Sequence, residues 1–238
     1  MKTIEKLVFL SLLFCIQCKT VSGKYALFFG QSYVEAIQHL EKEQGKLEAY
    51  FPGADDRLAA SAIVFPELIR YSALRDKVET AALKTLYVQY GKQYANFSIG
   101  YFQMKPSFAE ALEKAWMNHF PETSIVFDTL QTAENRLKRV ERLSKQRGQS
   151  LYLFCFYRYM QERLKSIPGL TNEDQIRLLA TAYNRGFMLP IEELEKHSRD
   201  CIFYTTLWPS HETPRYNYAS IALEYYSQQK ETLSTKGP

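Results

Sequence analysis

The run Ile63-Val64-Phe65-Pro66-Glu67-Leu68-Ile69-Arg70-Tyr71-Ser72 limits what this chain can fold into more than any other, because it sets a carboxylate among apolar side chains. Leu58, Ala62, Phe65 and Ile69 recur at three- and four-residue spacing, the pattern of a helix with a buried face, and Asp55-Asp56 mark its start. Pro66 lacks a backbone donor and is expected to kink or end the helix one turn earlier, leaving Glu67 at a bend. Glu67 then either points to water, paired with Arg70 at i+3, or is buried. Burial raises a carboxyl pKa, and a raised pKa suits a general acid near neutral pH, at the lip of a cleft.

At 238 residues, with 46% hydrophobic side chains, the chain is long enough for one globular domain with an extension. Its 17 Tyr and 15 Phe fit a tyrosine-rich core, or ring faces kept wet to hold sugars. A basic stretch from Met1 to Lys6, an apolar run from Leu7 to Ile16 and the small residues Val21-Ser22-Gly23 predict a secretory signal peptide over residues 1–23. The leader holds three lysines and one glutamate, so its removal lowers the formal net charge from +4 to +2, which is no nucleic-acid footprint. Its apolar run is too short to span a bilayer of roughly 30 Å, and no later segment approaches that length. The mature protein is expected to have no transmembrane segment and to be exported, to a periplasm or the cell envelope.

Phe14 and Gln17 precede Cys15 and Cys18 where a lipoprotein signal uses a small residue, which argues against lipidation. An exported compartment permits a disulfide between Cys155 and Cys201, although Cys155, in an apolar run, reads equally well as a buried thiol.

The rest of the chain reads as mainly α. An accessory helix is expected from Ser32 to about Tyr50, a further helix over Asp76–Tyr90, and another over Glu110–Asn118. A charged helix follows over Thr129–Arg147, ending at Gly148. Its basic residues are read as a solvated face, or as a surface meeting an anionic polymer. Leu151–Ile167 is the most apolar helix, and Thr171 with Asp174 predicts a capping box for the next. A short helix over Ile191–His197 and a closing one to about Gln229 complete the series.

Three further stretches carry a resemblance. Gly100-Tyr101-Phe102-Gln103-Met104-Lys105-Pro106 gives a glycine for close approach, an amide-bearing Gln and a helix-starting Pro. Ala182-Tyr183-Asn184-Arg185-Gly186 closes the capped helix, and Glu212-Thr213-Pro214-Arg215-Tyr216 precedes the last one. In this order they resemble the second, third and fourth motifs of the soluble lytic transglycosylases, the third resembling Ala-Tyr-Asn-Ala-Gly with Arg185 at the place of the second Ala. The resemblance covers about Asp55 to Gln229 and implies a lysozyme-like helical domain over 55–229, with an N-terminal extension over 24–54 and a tail over 230–238.

It further implies Glu67 as the general acid and base. Ser98, Tyr101, Phe102, Gln103, Met104, Tyr183, Asn184 and Tyr216 become substrate-binding residues, with Tyr218 competing for the role of Tyr216. The implied substrate is the glycan strand of peptidoglycan, cleaved at its N-acetylmuramic acid to N-acetylglucosamine β-1,4 bond with 1,6-anhydro product. The envelope machinery that would recruit such an enzyme is not legible. Two departures stand out: Leu68 follows Glu67 where the family reads Glu-Ser, and an extra helix separates Glu67 from Gly100.

Other chemistries find little support. His39, His119, His197 and His211 are isolated, so no metal is expected, and no Gly-rich phosphate loop or other cofactor motif occurs. Ser72 and Ser98 have no evident His-Asp partners. Hydrolysis by a muramidase would need a second carboxylate, for which Asp76, Glu79, Glu110 and Glu212 are candidates. A catalytically inactive glycan-binding envelope protein and a helical adaptor are the remaining alternatives.

Overall fold

Helical apolar spacing dominates the sequence, and the computed structural model, which describes residues 23–74, 80–206 and 209–235, is mainly helical. Its centre is α4 (Ala54–Leu74), which buries Ala59, Ala60, Ala62, Ile63, Val64, Phe65, Leu68 and Ile69. A helix apolar on all sides must be surrounded, and small alanines let neighbours come close. Those neighbours are α2 (Gln31–Lys42), α9 (Asn172–Arg185) and α11 (Tyr218–Thr235). Phe65 stacks on Tyr225 with ring centroids 4.0 Å apart and meets Tyr33 edge-on at 4.7 Å.

Contrary to expectation, Pro66 does not end α4, which runs on to Leu74. The missing N–H costs a single bond, that to the carbonyl of Ala62. Packing on every side outweighs that loss, and the next carbonyl, Ile63 O, accepts the Tyr218 hydroxyl at 2.9 Å.

The leader expected over residues 1–23 lies outside the described residues except for Gly23. The extension behind it is three helices rather than one: α1 (Lys24–Phe29), α2 and α3 (Gln44–Glu48). It is not accessory, since Tyr33, Ala36, Ile37, Leu40, Leu47 and Phe51 are buried in the main core. Glu224 on α11 accepts from the backbone N–H groups of Tyr25 (2.9 Å) and Ala26 (3.0 Å), satisfying donors at the free end of α1.

Four helices form the other side: α5 (Thr80–Tyr90), α6 (Pro106–His119), α7 (Ala133–Leu143) and α8 (Gln146–Leu164). The basic helix expected to end at Gly148 stops at Leu143, and Gly148 sits in the first turn of α8. A Cβ there would stand 2.1 Å from the Arg142 carbonyl oxygen, so the tight reversal requires glycine. Nor is the basic run all solvated, because Arg139 is fully buried. It donates to Glu113 on α6 through Nε at 2.9 Å and to the Tyr87 hydroxyl at 2.6 Å. Tyr87 in turn donates to Glu110 at 2.8 Å, so one ionic network ties α5, α6 and α7 together.

The capping box predicted at Thr171 and Asp174 starts α9. After α10 (Ile191–His197), β1 (Cys201–Phe203) pairs antiparallel with β2 (Tyr216–Asn217). Tyr216 is therefore in a strand, and α11 begins after it. Asn217 sets that start: its Oδ1 accepts from the Ser220 N–H at 2.6 Å, and its Nδ2 donates to Ser198 O (2.8 Å) and Asp200 O (3.0 Å). Cys155 is buried and Cys201 exposed, both as free thiols. Among the described residues no helix is long and apolar enough to cross a membrane.

Candidate functional site

Where α4 meets the Ile99–Met104 loop and the end of α9, a cleft of about 540 Å³ opens, and Glu67 is in its wall. The side chain is only 6% exposed, and its Oε2 has no hydrogen-bond partner among the described residues. Arg70 Nη1 lies 3.8 Å from that oxygen, too far for a hydrogen bond. Loss of water therefore dominates. It pushes the Glu67 carboxyl up to about 7, against the opposing pull of Arg70 and Lys105. At neutral pH such a group is present in both protonation states.

Two tyrosines stand close enough for the Glu67 charge to act on them. Tyr183 of α9 donates to the Phe102 carbonyl at 2.7 Å, and Tyr218 of α11 donates to Ile63 O. Burial, with Glu67 adding to it, holds both phenols well above their usual range, so both stay protonated.

The opposite wall is a loop pinned at its base by two backbone bonds between Ile99 and Met104, at 2.9 and 3.2 Å. Gly100 and Gln103 have positive φ, 68° and 51°, which is strained for the glutamine. Its Nε2 donates to Gly100 O at 2.8 Å, a local bond that holds the turn. Gln149 of α8, almost fully buried, bridges the loop to the core by accepting from the Phe102 N–H at 2.8 Å and donating to Leu143 O at 2.7 Å. Any Cβ at position 100 would fall on that amide, 1.5 Å from its Nε2. Phe102 is thus held from both sides, by Gln149 on its N–H and by Tyr183 on its carbonyl. The third wall, residues 186–190, is tied down by Arg163, which donates to Leu189 O at 2.6 Å and to Phe187 O.

Glu67, Ser98, Gln103, Met104, Tyr183 and Asn184 all line this cleft. Phe102 does not: it is fully buried behind the loop and contributes through its backbone. Tyr101 turns away, its ring 3.8 Å from His39 and 4.4 Å from Tyr71. Tyr216 packs on Phe28 and Phe29, at 5.1 and 4.9 Å, and glues α1 to the sheet. Of the two competing tyrosines it is Tyr218 that neighbours Glu67. Asn217 caps α11 and so turns position 218, not 216, inward toward α4.

Sequence reasoning passed over Lys105, Arg185 and Gln149. The first two are flagged by nothing but their positions beside matched motif residues, and Gln149 by nothing local at all. Among the described residues lining the cleft, Glu67 is the one carboxylate. Glu110 is engaged with Tyr87, Lys92 (3.1 Å) and Arg139, and Glu212 is in an exposed turn. Asp76 and Glu79 lie outside the described residues. Among the described residues no three His, Cys, Asp or Glu side chains are grouped to hold a metal ion.

A second, shallower cavity of about 340 Å³ adjoins the cleft and shares Arg70, Asn184 and Arg185 with it. Comparison with known proteins finds no matching family model, no matching curated protein and no matching solved structure.

Proposed function

We propose that the chain is an exported peptidoglycan lytic transglycosylase with a lysozyme-like fold, Glu67 being its acid and base. One observation carries this reading: a buried carboxyl without a hydrogen-bond partner among the described residues opens on a cleft and titrates near pH 7. Its protonated form donates to the glycosidic oxygen of a bound strand while the N-acetyl group of the muramic residue supports the developing cation. The carboxylate so formed then takes the proton of that sugar's 6-hydroxyl, whose oxygen closes on the anomeric carbon. One group thus serves twice, and the proton it gave up is restored.

One feature favours this route over hydrolysis. A hydrolase of the usual kind needs a second carboxylate about 5–9.5 Å from the first, and the described residues lining the cleft supply none. Arg70 and Lys105 support the anionic form between the two proton transfers. Gln103 and Asn184 offer amides of the type that hydrogen-bond an N-acetyl group, and Phe108 and Met188 give the wall apolar area for sugar faces.

Mass spectrometry of purified peptidoglycan after incubation with the protein tests this, beside a Glu67→Gln control. Fragments ending in 1,6-anhydromuramic acid, absent from the control, are the expected result. Reducing ends heavier by one water would mean a muramidase. No fragments, with glycan binding retained by both proteins, would mean a binding protein that keeps the cleft.

A further inference from the structure

The smaller cavity beyond Asn184 is unlike the main cleft. It is lined by Arg70, Asn184, Arg185, Ile202, Phe203, Tyr204, Thr206 and Pro209, with no carboxylate among them. Two arginines enter it from different elements, Arg70 from α4 and Arg185 from the last residue of α9. A third, Arg215, lies over the Tyr204 ring with its guanidinium 5.6 Å from the centroid.

Arg185 is held in place rather than loose. Its Nη2 lies 3.5 Å from Asp200 Oδ2 and 3.1 Å from His197 Nδ1, and that imidazole nitrogen is 2.7 Å from the same carboxylate oxygen. A guanidinium has five N–H donors in a fixed fork. One edge spent on Asp200 and His197 leaves others to face the cavity. Arg70 is partly exposed, and its Nη1 is only loosely engaged with Glu67 at 3.8 Å; its Nε is buried and has no partner among the described residues. Arg70 further sits over the Phe203 ring, at 6.0 Å, which fixes the plane it presents.

We propose that this cavity is a carboxylate-binding subsite in which Arg185 and Arg70 receive an acidic substituent of the bound glycan, against the apolar wall of Ile202, Phe203 and Tyr204. The inference rests on the glycan-binding reading of the adjoining cleft. The two cavities share Arg70, Asn184 and Arg185, so a strand engaged at Glu67 brings whatever its neighbouring sugar carries directly to the arginines. On a peptidoglycan strand the carboxylate is either the lactyl group of an unsubstituted muramic acid or the end of a short peptide attached to it. The chemistry recognised is the same.

The test is calorimetric titration of the purified protein with four probes: a muramyl dipeptide with a free terminal carboxylate, its terminal amide, N-acetylmuramic acid, and neutral chitotetraose. The free acid is expected to bind about tenfold tighter than the amide, the scale of one charge-assisted hydrogen-bonded pair. Arg185→Ala should bring the acid down to the level of the amide while weakening the two neutral probes, the amide and chitotetraose, by less than it weakens the acid, and Arg185→Lys should keep part of the preference. If N-acetylmuramic acid shows the arginine-dependent gain and the dipeptide does not, the subsite stands and its ligand is the sugar's own carboxylate. Equal binding of acid and amide by the unaltered protein, together with no effect of Arg185→Ala on N-acetylmuramic acid, overturns the proposal. So does a loss of chitotetraose binding in Arg185→Ala as large as the loss of the acid, which would make the arginine a structural support. A protein that cleaves nothing would refute the transglycosylase reading and yet leave the acid-to-amide ratio to decide on the subsite.

Discussion

Glu67 and Glu113 are the same residue type, both in helices and both buried, at 6% and 0% exposure. Glu113 accepts from Arg139 Nε at 2.9 Å, from Arg142 Nη1 at 2.9 Å and from the Tyr152 hydroxyl at 2.5 Å. Glu67 has one cation at 3.8 Å and an oxygen with no hydrogen bond among the described residues. Burial alone therefore does not distinguish a structural acid from a chemical one. The number of donors does: the Glu113 oxygens are engaged by three side chains and fix helices to one another, whereas Glu67, stripped of water and left without a hydrogen bond on one oxygen, is pushed up to about 7.

The largest effect should come from Glu67→Gln. It removes the titrating group and keeps the shape, and turnover of peptidoglycan is expected to fall about 10³-fold, the mid-range for a general acid and base. Denaturant unfolding at pH 7 should show no loss of stability. Glu113→Gln should do the reverse. It takes from the buried Arg139 guanidinium the carboxylate it bonds directly, leaving Glu110 at 3.6 Å, and removing one partner of a buried pair costs about 3–5 kcal/mol. The folded fraction should still cleave at the normal rate below its melting temperature. A Glu113→Gln protein that is stable but inactive would break the comparison.

Stability against pH sharpens it further. The Glu67 carboxyl, at about 7 in the fold against an ordinary 4.5, keeps its proton where the unfolded chain has lost it. At this group the folded state thus binds more protons between these values, so the Glu67 contribution to stability falls as pH rises from 4.5 through 7 and levels off above, while His39, held below its usual range by burial, contributes with the opposite sign. A displacement of this size corresponds to something on the order of 3 kcal/mol. Glu67→Gln should remove this contribution, becoming more stable than the parent above pH 7 by up to that amount, while both proteins behave alike near pH 4. A stability difference between parent and Glu67→Gln that does not change with pH over this window, by urea unfolding at matched ionic strength, would mean that Glu67 is solvated in the fold.

Helices were legible wherever burial follows a 3.6-residue period, and the Thr171 and Asp174 capping box was legible from two residues. What was not legible depends on residues far apart in the chain. Pro66 signals a break locally, but the helices around α4 hold it through. The Arg139 of a strongly charged run looks solvated until Glu113 and Tyr87 are placed against it. Tyr216 and Tyr218 share the same local chemistry, and the choice between them is made by Asn217 bonding to Ser198 and Asp200. Gln149 sits 47 residues from the Phe102 it holds, and nothing beside either one announces the bond. At the site, Glu67 stood out as an acid in an apolar run, and Gln103, Tyr183 and Asn184 through the motifs that carry the resemblance. Lys105, Arg185 and the clamp behind the loop matter through position alone.

The smallest expected effect tests whether Glu67 works by itself. Tyr183 is the nearest hydroxyl-bearing residue of the motif at the end of α9, and a second proton donor there would make Glu67 one of a pair. Its hydroxyl is already committed to Phe102 O at 2.7 Å, and both burial and the Glu67 charge oppose its ionisation. It should then act only as a positioning residue for the loop. Tyr183→Phe removes one hydrogen bond, worth about 1 kcal/mol, while Gln149 still grips the Phe102 N–H at 2.8 Å. The melting temperature should fall by roughly 2–4 °C. KM for glycan should rise severalfold as the loop loosens, with kcat and the upper limb of the pH profile nearly unchanged. A kcat loss of a hundredfold or more with KM unaltered would instead put the phenol in the chemistry, and the contrast between a lone chemical glutamate and a fully partnered structural one would no longer describe this molecule.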